Sequence, residues 1–143
     1  MRITDGKDLE IIKALQDDAR TPFLEIAKKL RMSESAVRKR VRKLEREGVI
    51  EKYTIVVDPS KLGYNAVALV GLDVTPDKYL TIVRELTGFE EVKSVVTSTG
   101  DHMIMVEVWA HDNRELTDIV TRKIGGLEGV TKVCPAIILE RVK

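Results

Sequence analysis

Five cations stand within six residues, at Arg38, Lys39, Arg40, Arg42 and Lys43, with no acidic residue among them. Closely spaced guanidinium and ammonium groups bind phosphate through their charge and through the hydrogen bonds they donate. A helix that only faces solvent usually alternates bases with acids four residues away, and this cluster lacks that alternation. The spacing therefore favours nucleic acid as the partner.

Residues 33–50, which hold these cations, have the apolar spacing of one short helix. Val37, Val41 and Leu44 recur at i, i+4 and i+7 and form a stripe along one side. Ser33 is a typical N-cap, and Gly48 is placed to end the helix. Such a helix packs on a small core with one side and presents its cations with the other.

Two shorter helices are predicted before it. The first covers residues 8–15, and the second begins with Thr21 as its N-cap and Pro22 as its first helical residue. Their predicted inward-facing side chains are Leu9, Ile12, Leu15, Ile26, Ala27 and Leu30. Three helices, the last two joined by a very short turn, are typical of a helix-turn-helix unit, whose second helix enters the major groove of DNA.

In that arrangement the N-terminal part of the basic helix contacts the bases. The residues predicted to contact the groove are Ser33, Glu34, Ser35, Arg38, Lys39 and Arg42. For Arg40 and Lys43 two roles stay open, contact with phosphate and bracing of the fold.

The charge is unevenly distributed along the 143 residues. Residues 1–60 carry 14 basic and 11 acidic side chains, whereas residues 61–143 carry 10 and 12, for a net charge of +1. We therefore predict two domains with a boundary near residue 60: a DNA-binding domain at 1–60 that includes a linker strand, and a second domain at 61–143.

The composition also limits the class of protein. The one cysteine, Cys134, has no partner for an internal disulfide, and no apolar run is long enough to cross a membrane, so we expect a cytoplasmic protein. Charged residues make up 33% of the chain, and only three side chains are amides, a pattern that resembles thermophile proteins. We recognise no nucleophile–base set, metal-ligand cluster or phosphate loop, and expect no catalytic residue, metal or cofactor.

The rest of the chain predicts an α+β fold. Residues 51–57 look like a linker strand that is stopped by Asp58, Pro59 and Ser60. Strands are predicted at 67–74, 92–99, 102–110 and 130–142, the last interrupted by Pro135, and helices at 76–87 and 112–124. This order is the ferredoxin-like βαββαβ plan, an antiparallel sheet covered on one face by two helices.

Two details refine this prediction. We expect Leu80, Val83 and Leu86 to face inward from the first of these helices. In the strand at 102–110, Met103 and Met105 lie on the face opposite Ile104, so both faces are substantially apolar. The sheet is therefore predicted to pack its uncovered face against a second copy of the chain.

The residues resemble the leucine-responsive regulatory protein/AsnC family over essentially the whole chain. Segments 17–30 and 33–50 are similar to its helix-turn-helix signature, here of the winged type, and the βαββαβ part resembles its effector domain. The resemblance implies a transcription regulator that dimerises through its sheets and assembles further, often to octamers. It also implies a pocket for an amino acid or related metabolite where dimers meet.

The family places a Thr-Gly-x-x-Asp turn at that pocket. Thr99 and Gly100 match it, but Met103 stands in place of the aspartate, and Asp101 is the nearby carboxylate. We name Thr99, Gly100, Asp101 and His102 as candidate effector residues. Backbone N–H groups of a glycine turn can bind a carboxylate, and Asp101 can bind an ammonium. An ordinary hairpin turn explains the same residues.

Two alternatives remain beside the effector-responsive regulator. One is an architectural protein that binds DNA with little sequence preference and no effector. The other is an enzyme, because some haem-pathway decarboxylases resemble this family in fold, in which case His102 or His111 would be catalytic. The basic helix favours a regulator that is not an enzyme.

Overall fold

A computed structural model describes residues 4–143 of the chain. These residues fold into two compact units, one ending at Val56 and the other beginning at Val57. Among the described residues, no helix is both long and apolar enough to span a membrane.

Three helices build the first unit: α1 (Gly6–Asp17), α2 (Phe23–Leu30) and α3 (Glu34–Arg46). Its buried apolar cluster contains Ile11, Ile26, Ala27, Val37 and Val41. The predicted inner face of α1 is wrong at Leu9, which is 42% exposed, whereas Ile11 is fully buried. Asp8 also turns inward. The buried face of α1 is therefore centred on Asp8 and Ile11, which the apolar spacing did not indicate.

Helix α2 begins one residue later than predicted. Pro22 is its N-cap and Phe23 its first helical residue, and no side chain caps this end. The hydroxyl of Thr21 instead donates to the carbonyl of Asp18 at 2.8 Å. Thr21 therefore stabilises the preceding turn rather than the helix.

Both predicted ends of α3 are confirmed. The hydroxyl of Ser33 accepts the N–H of Ala36 at 3.2 Å. At the other end Gly48 has φ +70°, and the N–H of Val49 donates to the carbonyl of Leu44 at 2.9 Å. This is the hydrogen bond of a Schellman motif, in which glycine relieves the steric cost of positive φ.

The linker strand predicted at 51–57 does not form. Ile55 and Val56 are 81% and 83% exposed, and the segment has no place in the single sheet of the described residues. Apolar alternation is not sufficient for a strand, because the backbone groups also need a partner to pair with.

The second unit contains the predicted βαββαβ succession. Its elements are β1 (Ala66–Val74), α4 (Tyr79–Thr87), β2 (Val92–Thr97), β3 (Ile104–Ala110), α5 (Asn113–Asp118) and β4 (Val130–Ile137). A 3-10 turn, Pro76–Lys78, leads into α4, and a π-helical turn, Ile119–Ile124, extends α5. The strands are antiparallel in the order β2-β3-β1-β4, which confirms the ferredoxin-like plan.

The sheet has one covered and one uncovered face. Alternate residues of β1 and β3, starting at Ala66 and Ile104, are buried with the apolar residues of α4 and α5. On the other face Leu69 and Val96 are exposed and Met105 is half-buried. We call this the open face of the sheet.

The predicted inner face of α4 is wrong at Leu80. This side chain is 74% exposed, and Ile82 is buried instead, together with Leu86. Leu80 and Leu86 are six residues apart within α4, which places them about 120° apart around a helix of 3.6 residues per turn, whereas Ile82 and Leu86 at i and i+4 share one face.

Pro135 does not interrupt β4, which is an edge strand and ends at Ile137. It lies opposite Val70. The N–H of Ile138 donates to the carbonyl of Val67. Counting back along β4 from Ile138, every second residue makes hydrogen bonds to β1, and Pro135 is not one of these residues. The nitrogen of Pro135 therefore faces away from β1, where its missing N–H breaks no bond.

Candidate nucleic-acid interface and effector loop

The exposed side of α3 carries predicted DNA contacts. Lys39 and Arg42 are exposed, and within residues 4–143 neither side chain has an ion pair or hydrogen bond. Ser33 and Ser35 begin the helix with their hydroxyl oxygens 3.1 Å apart. Lys43 lies half-buried further along.

Arg38 is engaged but accessible. Its Nη2 donates to Glu34 Oε1 at 2.6 Å, and the two side chains are 47% and 43% exposed. The guanidinium carbon lies 5.2 Å from the ring centroid of Phe23 in α2. Arg38 is therefore held at one edge and on one face, and its other donors remain available.

Arg40 joins α3 to the start of α1. Its Nη1 donates to Asp5 Oδ2 at 2.8 Å and to Asp8 Oδ1 at 2.7 Å. Asp5 and Asp8 also form a capping box, in which each carboxylate accepts the backbone N–H of the other residue. The sequence left two roles open for Arg40, and these contacts with Asp5 and Asp8 are the ones expected of a residue that braces the fold.

The electrostatics of this cluster agree with its geometry. The backbone N–H of Asp8, followed by the guanidinium of Arg40, lowers the pKa of Asp5 below its ordinary value. The same two carboxylates raise the pKa of Arg40. Asp8 is only 2% exposed, so the guanidinium compensates a carboxylate that water hardly reaches.

The candidate effector residues lie in the loop between β2 and β3. Thr99, Gly100 and Asp101 are exposed, and Gly100 has φ +116°, a conformation that favours glycine. Ser98 closes the loop, because its N–H donates to the carbonyl of Met103 at 2.9 Å.

His102 leaves this loop and covers Gly71 on β1. A Cβ at Gly71 would overlap the imidazole ring. Nδ1 of His102 is buried without a hydrogen-bond partner, 3.5 Å from Asp73 Oδ2. Asp73 also accepts the N–H of Met103 at 3.3 Å. His102 thus packs on Gly71 and lies close to Asp73, while the three preceding loop residues, Thr99, Gly100 and Asp101, are exposed to solvent.

An aromatic group lies on the second unit near the end of β3. The rings of Trp109 and Tyr64 are 5.6 Å apart, and Lys93 Nζ lies 5.4 Å from the Trp109 ring. Trp109 Nε1 donates to Glu107 Oε1 at 2.8 Å, and Arg141 donates to the same oxygen at 3.2 Å.

The second histidine forms a local pair at the start of α5. His111 Nδ1 lies 2.8 Å from Glu115 Oε2. The backbone N–H of His111, followed by its ring, lowers the pKa of Glu115. Over residues 4–143 we find no group of three or more His, Cys, Asp or Glu arranged to hold a metal ion.

Sequence reasoning missed several residues of these sites. The Asp5 and Asp8 spacing before an apolar run is a recognisable capping signal, and Gly71 inside a strand pattern marks a close approach. No local signal links Phe23 to Arg38, because the pair forms only when α2 packs on α3.

Comparison with known proteins gives two family matches in the same order as the two units. Residues 4–51 match a winged helix-turn-helix DNA-binding model, and residues 66–143 match the Lrp/AsnC ligand binding domain. The chain is 54% identical to the HTH-type transcriptional regulator LrpA of Pyrococcus horikoshii over 139 residues, 97% of this chain and 99% of that protein. The chain belongs to the Lrp/AsnC family.

Other Lrp/AsnC proteins agree with this assignment. LrpA1 of Halobacterium salinarum is 36% identical over 98% of this chain and 99% of its own length. The structure of AsnC from E. coli superposes with a TM-score of 0.85 at 26% identity, covering 99% of this chain and 96% of that one. A Neisseria meningitidis regulator, solved as a complex with L-Met, shares the fold with a TM-score of 0.88 at 20% identity, covering 98% and 92%.

The Lrp/AsnC relatives are named as transcriptional regulators. The protein is a DNA-binding transcriptional regulator with a ligand-binding domain, and it is not an enzyme. The predicted family, fold class and general function are thereby confirmed.

Proposed function

We propose that this regulator recognises a specific operator by laying α3 in the major groove. Lys39, Arg42 and Arg38 are the proposed cationic contacts, with Ser33 to Ser35 at the leading end. The observation that supports this is that α3 is fixed by its caps and by Arg40, while Lys39 and Arg42 stay exposed. A rigid helix with accessible cations is what groove binding requires.

The proposed DNA-binding form is a dimer that packs the open faces of two sheets together. Leu69, Val96 and Met105 leave apolar surface uncovered on that face, and burying apolar area favours association. Such a dimer carries two copies of α3, which fit half-sites about one helical turn apart on a roughly palindromic operator. Dimers then assemble further, to octamers or another closed form.

The proposed effector is an amino acid or a related metabolite, bound where dimers meet at the loop of Thr99, Gly100, Asp101 and His102. The exposed carboxylate of Asp101 suits an ammonium group, and the backbone around Gly100 suits a carboxylate. The effector shifts assembly only by its different affinity for the two arrangements.

The DNA step is tested by fluorescence anisotropy with a duplex enriched from a randomised pool by the full-length protein. We expect Arg42→Ala to weaken binding, and Lys13→Ala, which removes an exposed cation of α1, to leave it unchanged. Equal losses from both variants would count against α3 as the reading helix. Equal affinity of the wild type for enriched and random duplexes would favour the architectural alternative.

The effector step is tested by light scattering after chromatography, with each amino acid added in turn. Methionine is the first probe, because the Neisseria meningitidis regulator of the same fold was solved with it. We expect one amino acid to change the mass of the assembly and the operator affinity, and Asp101→Asn to reduce that response. If no amino acid changes either quantity, the effector proposal fails while the DNA proposal stands.

A further inference from the structure

The guanidinium of Arg38 is contacted on an edge and on a face by two different helices. Glu34 takes one N–H from within α3 at 2.6 Å. The Phe23 ring of α2 lies 5.2 Å from the guanidinium carbon, within the range of a cation–π contact. Phe23 is half-buried and packs against the core of the first unit, so its ring offers a fixed surface.

This arrangement leaves Arg38 able to bind. A guanidinium has five N–H donors, and the hydrogen bond to Glu34 occupies one of them. The side chain remains 47% exposed. An arginine that is already confined loses less rotamer freedom when it forms a paired contact. This saving in free energy applies only where the paired contact forms, so it increases the affinity for the correct partner more than for the wrong one.

We propose that Phe23 is a positioning residue which, together with Glu34, orients Arg38 to read a guanine in each half-site. Two parallel N–H donors match O6 and N7 of guanine in the major groove, and no other base presents that pair of acceptors in the same way. Phe23 does not touch the base and acts through Arg38. This inference rests on the proposed function, because α3 must lie in the groove.

The test measures the affinity of the full-length protein for the enriched duplex and for every single base-pair change within it. Arg38→Ala should reduce discrimination at one base pair per half-site by about five- to 150-fold, the range for one bidentate contact. Phe23→Leu should relax the same base pair by about two- to fivefold, the value of an exposed cation–π contact. Phe23→Tyr keeps the ring and should keep the wild-type preference.

The controls separate positioning from folding and from charge. Leu24→Ala removes the neighbouring, 50% exposed side chain of α2 and should leave the preference profile unchanged. Phe23→Leu should also leave the salt dependence of binding unchanged, because no cation is removed. If Phe23→Leu lowers the melting temperature, Phe23→Met replaces it, since it keeps the volume without a ring.

The outcomes are distinguishable. Relaxed preference at the base pair that Arg38→Ala identifies, with other positions unchanged, supports the inference. An unchanged profile, or a uniform loss across all duplexes in a stably folded Phe23 variant, overturns it and leaves groove binding by α3 intact. A wild-type protein that prefers no duplex refutes the proposed operator recognition itself, and this inference with it.

Discussion

Replacing Arg40 by alanine should destabilise the first unit rather than abolish a contact with DNA. The substitution removes two hydrogen bonds, of 2.8 Å to Asp5 and 2.7 Å to Asp8. Asp8 is 2% exposed and would keep a nearly buried charge without its cation. Breaking a buried ion pair costs about 3–5 kcal/mol.

The cost is smaller for Arg40, because its side chain is 29% exposed and water can reach the vacated position. The carboxylate of Asp8 also keeps the N–H of Asp5. We expect a loss of about 2 kcal/mol in the free energy of unfolding of the first unit. For a unit of this size the melting temperature should fall by about 10 °C.

The assay is hydrogen exchange of the full-length protein followed by mass spectrometry, which reports on residues 4–56 separately from the second unit. Arg42→Ala is the matched control, since this exposed arginine of the same helix should change stability by less than about 0.5 kcal/mol. A double-mutant cycle adds Asp8→Asn. With no buried charge left to compensate, and only the exposed carboxylate of Asp5 still facing Arg40, Arg40→Ala should then cost much less.

This role of Arg40 would be refuted if Arg40→Ala and Arg42→Ala proved equally stable. It would also be refuted if the cost of Arg40→Ala were the same with Asp8 and with asparagine in its place. Either result would mean that the ion cluster does not stabilise the position of α3.

Gly71→Ala should lower the free energy of unfolding of the second unit by about 1–3 kcal/mol, because the new methyl group overlaps His102. Adding His102→Ala should restore part of the lost stability. Denaturation followed by fluorescence of the single tryptophan measures both changes. Partial desolvation of Tyr53, which stays 54% exposed, followed by the hydrogen bond to Glu45, raises its pKa to about 12. The stability that Tyr53 contributes is therefore complete below about pH 10 and is lost as the pH rises through about 12. Absorbance titration should show this late tyrosine, and Glu45→Ala should bring its pKa closer to the ordinary value. With about three cationic contacts per protomer, operator affinity should fall on the order of a thousandfold between about 50 and 200 mM salt, and a much flatter dependence would exclude that number of contacts.

The parts of the fold that depend on neighbouring residues could be predicted from the sequence. Ser33 and Gly48 mark the two ends of α3 as expected, because capping acts within one turn of the helix. The alternation of buried and half-buried residues in β3 likewise follows from the two-residue period of a strand.

The parts that depend on remote contacts could not be predicted. Leu9 faces outward because Asp8 turns inward and meets Arg40 from another helix. The segment at 51–57 has strand-like composition but no neighbouring strand within the described chain. In the candidate site, the cation cluster was evident from the sequence, yet its division into bracing Arg40 and accessible Arg42 required the positions of the carboxylates.

The proline in β4 bears on how copies of the protein can meet. The outer border of β4 lacks a donor at Pro135, because that nitrogen points away from the sheet. A neighbouring molecule that tried to extend the sheet sideways would find a gap in the ladder at this point. Lateral growth into fibres is thus discouraged along that border, which helps the protein at high concentration to stay in discrete particles.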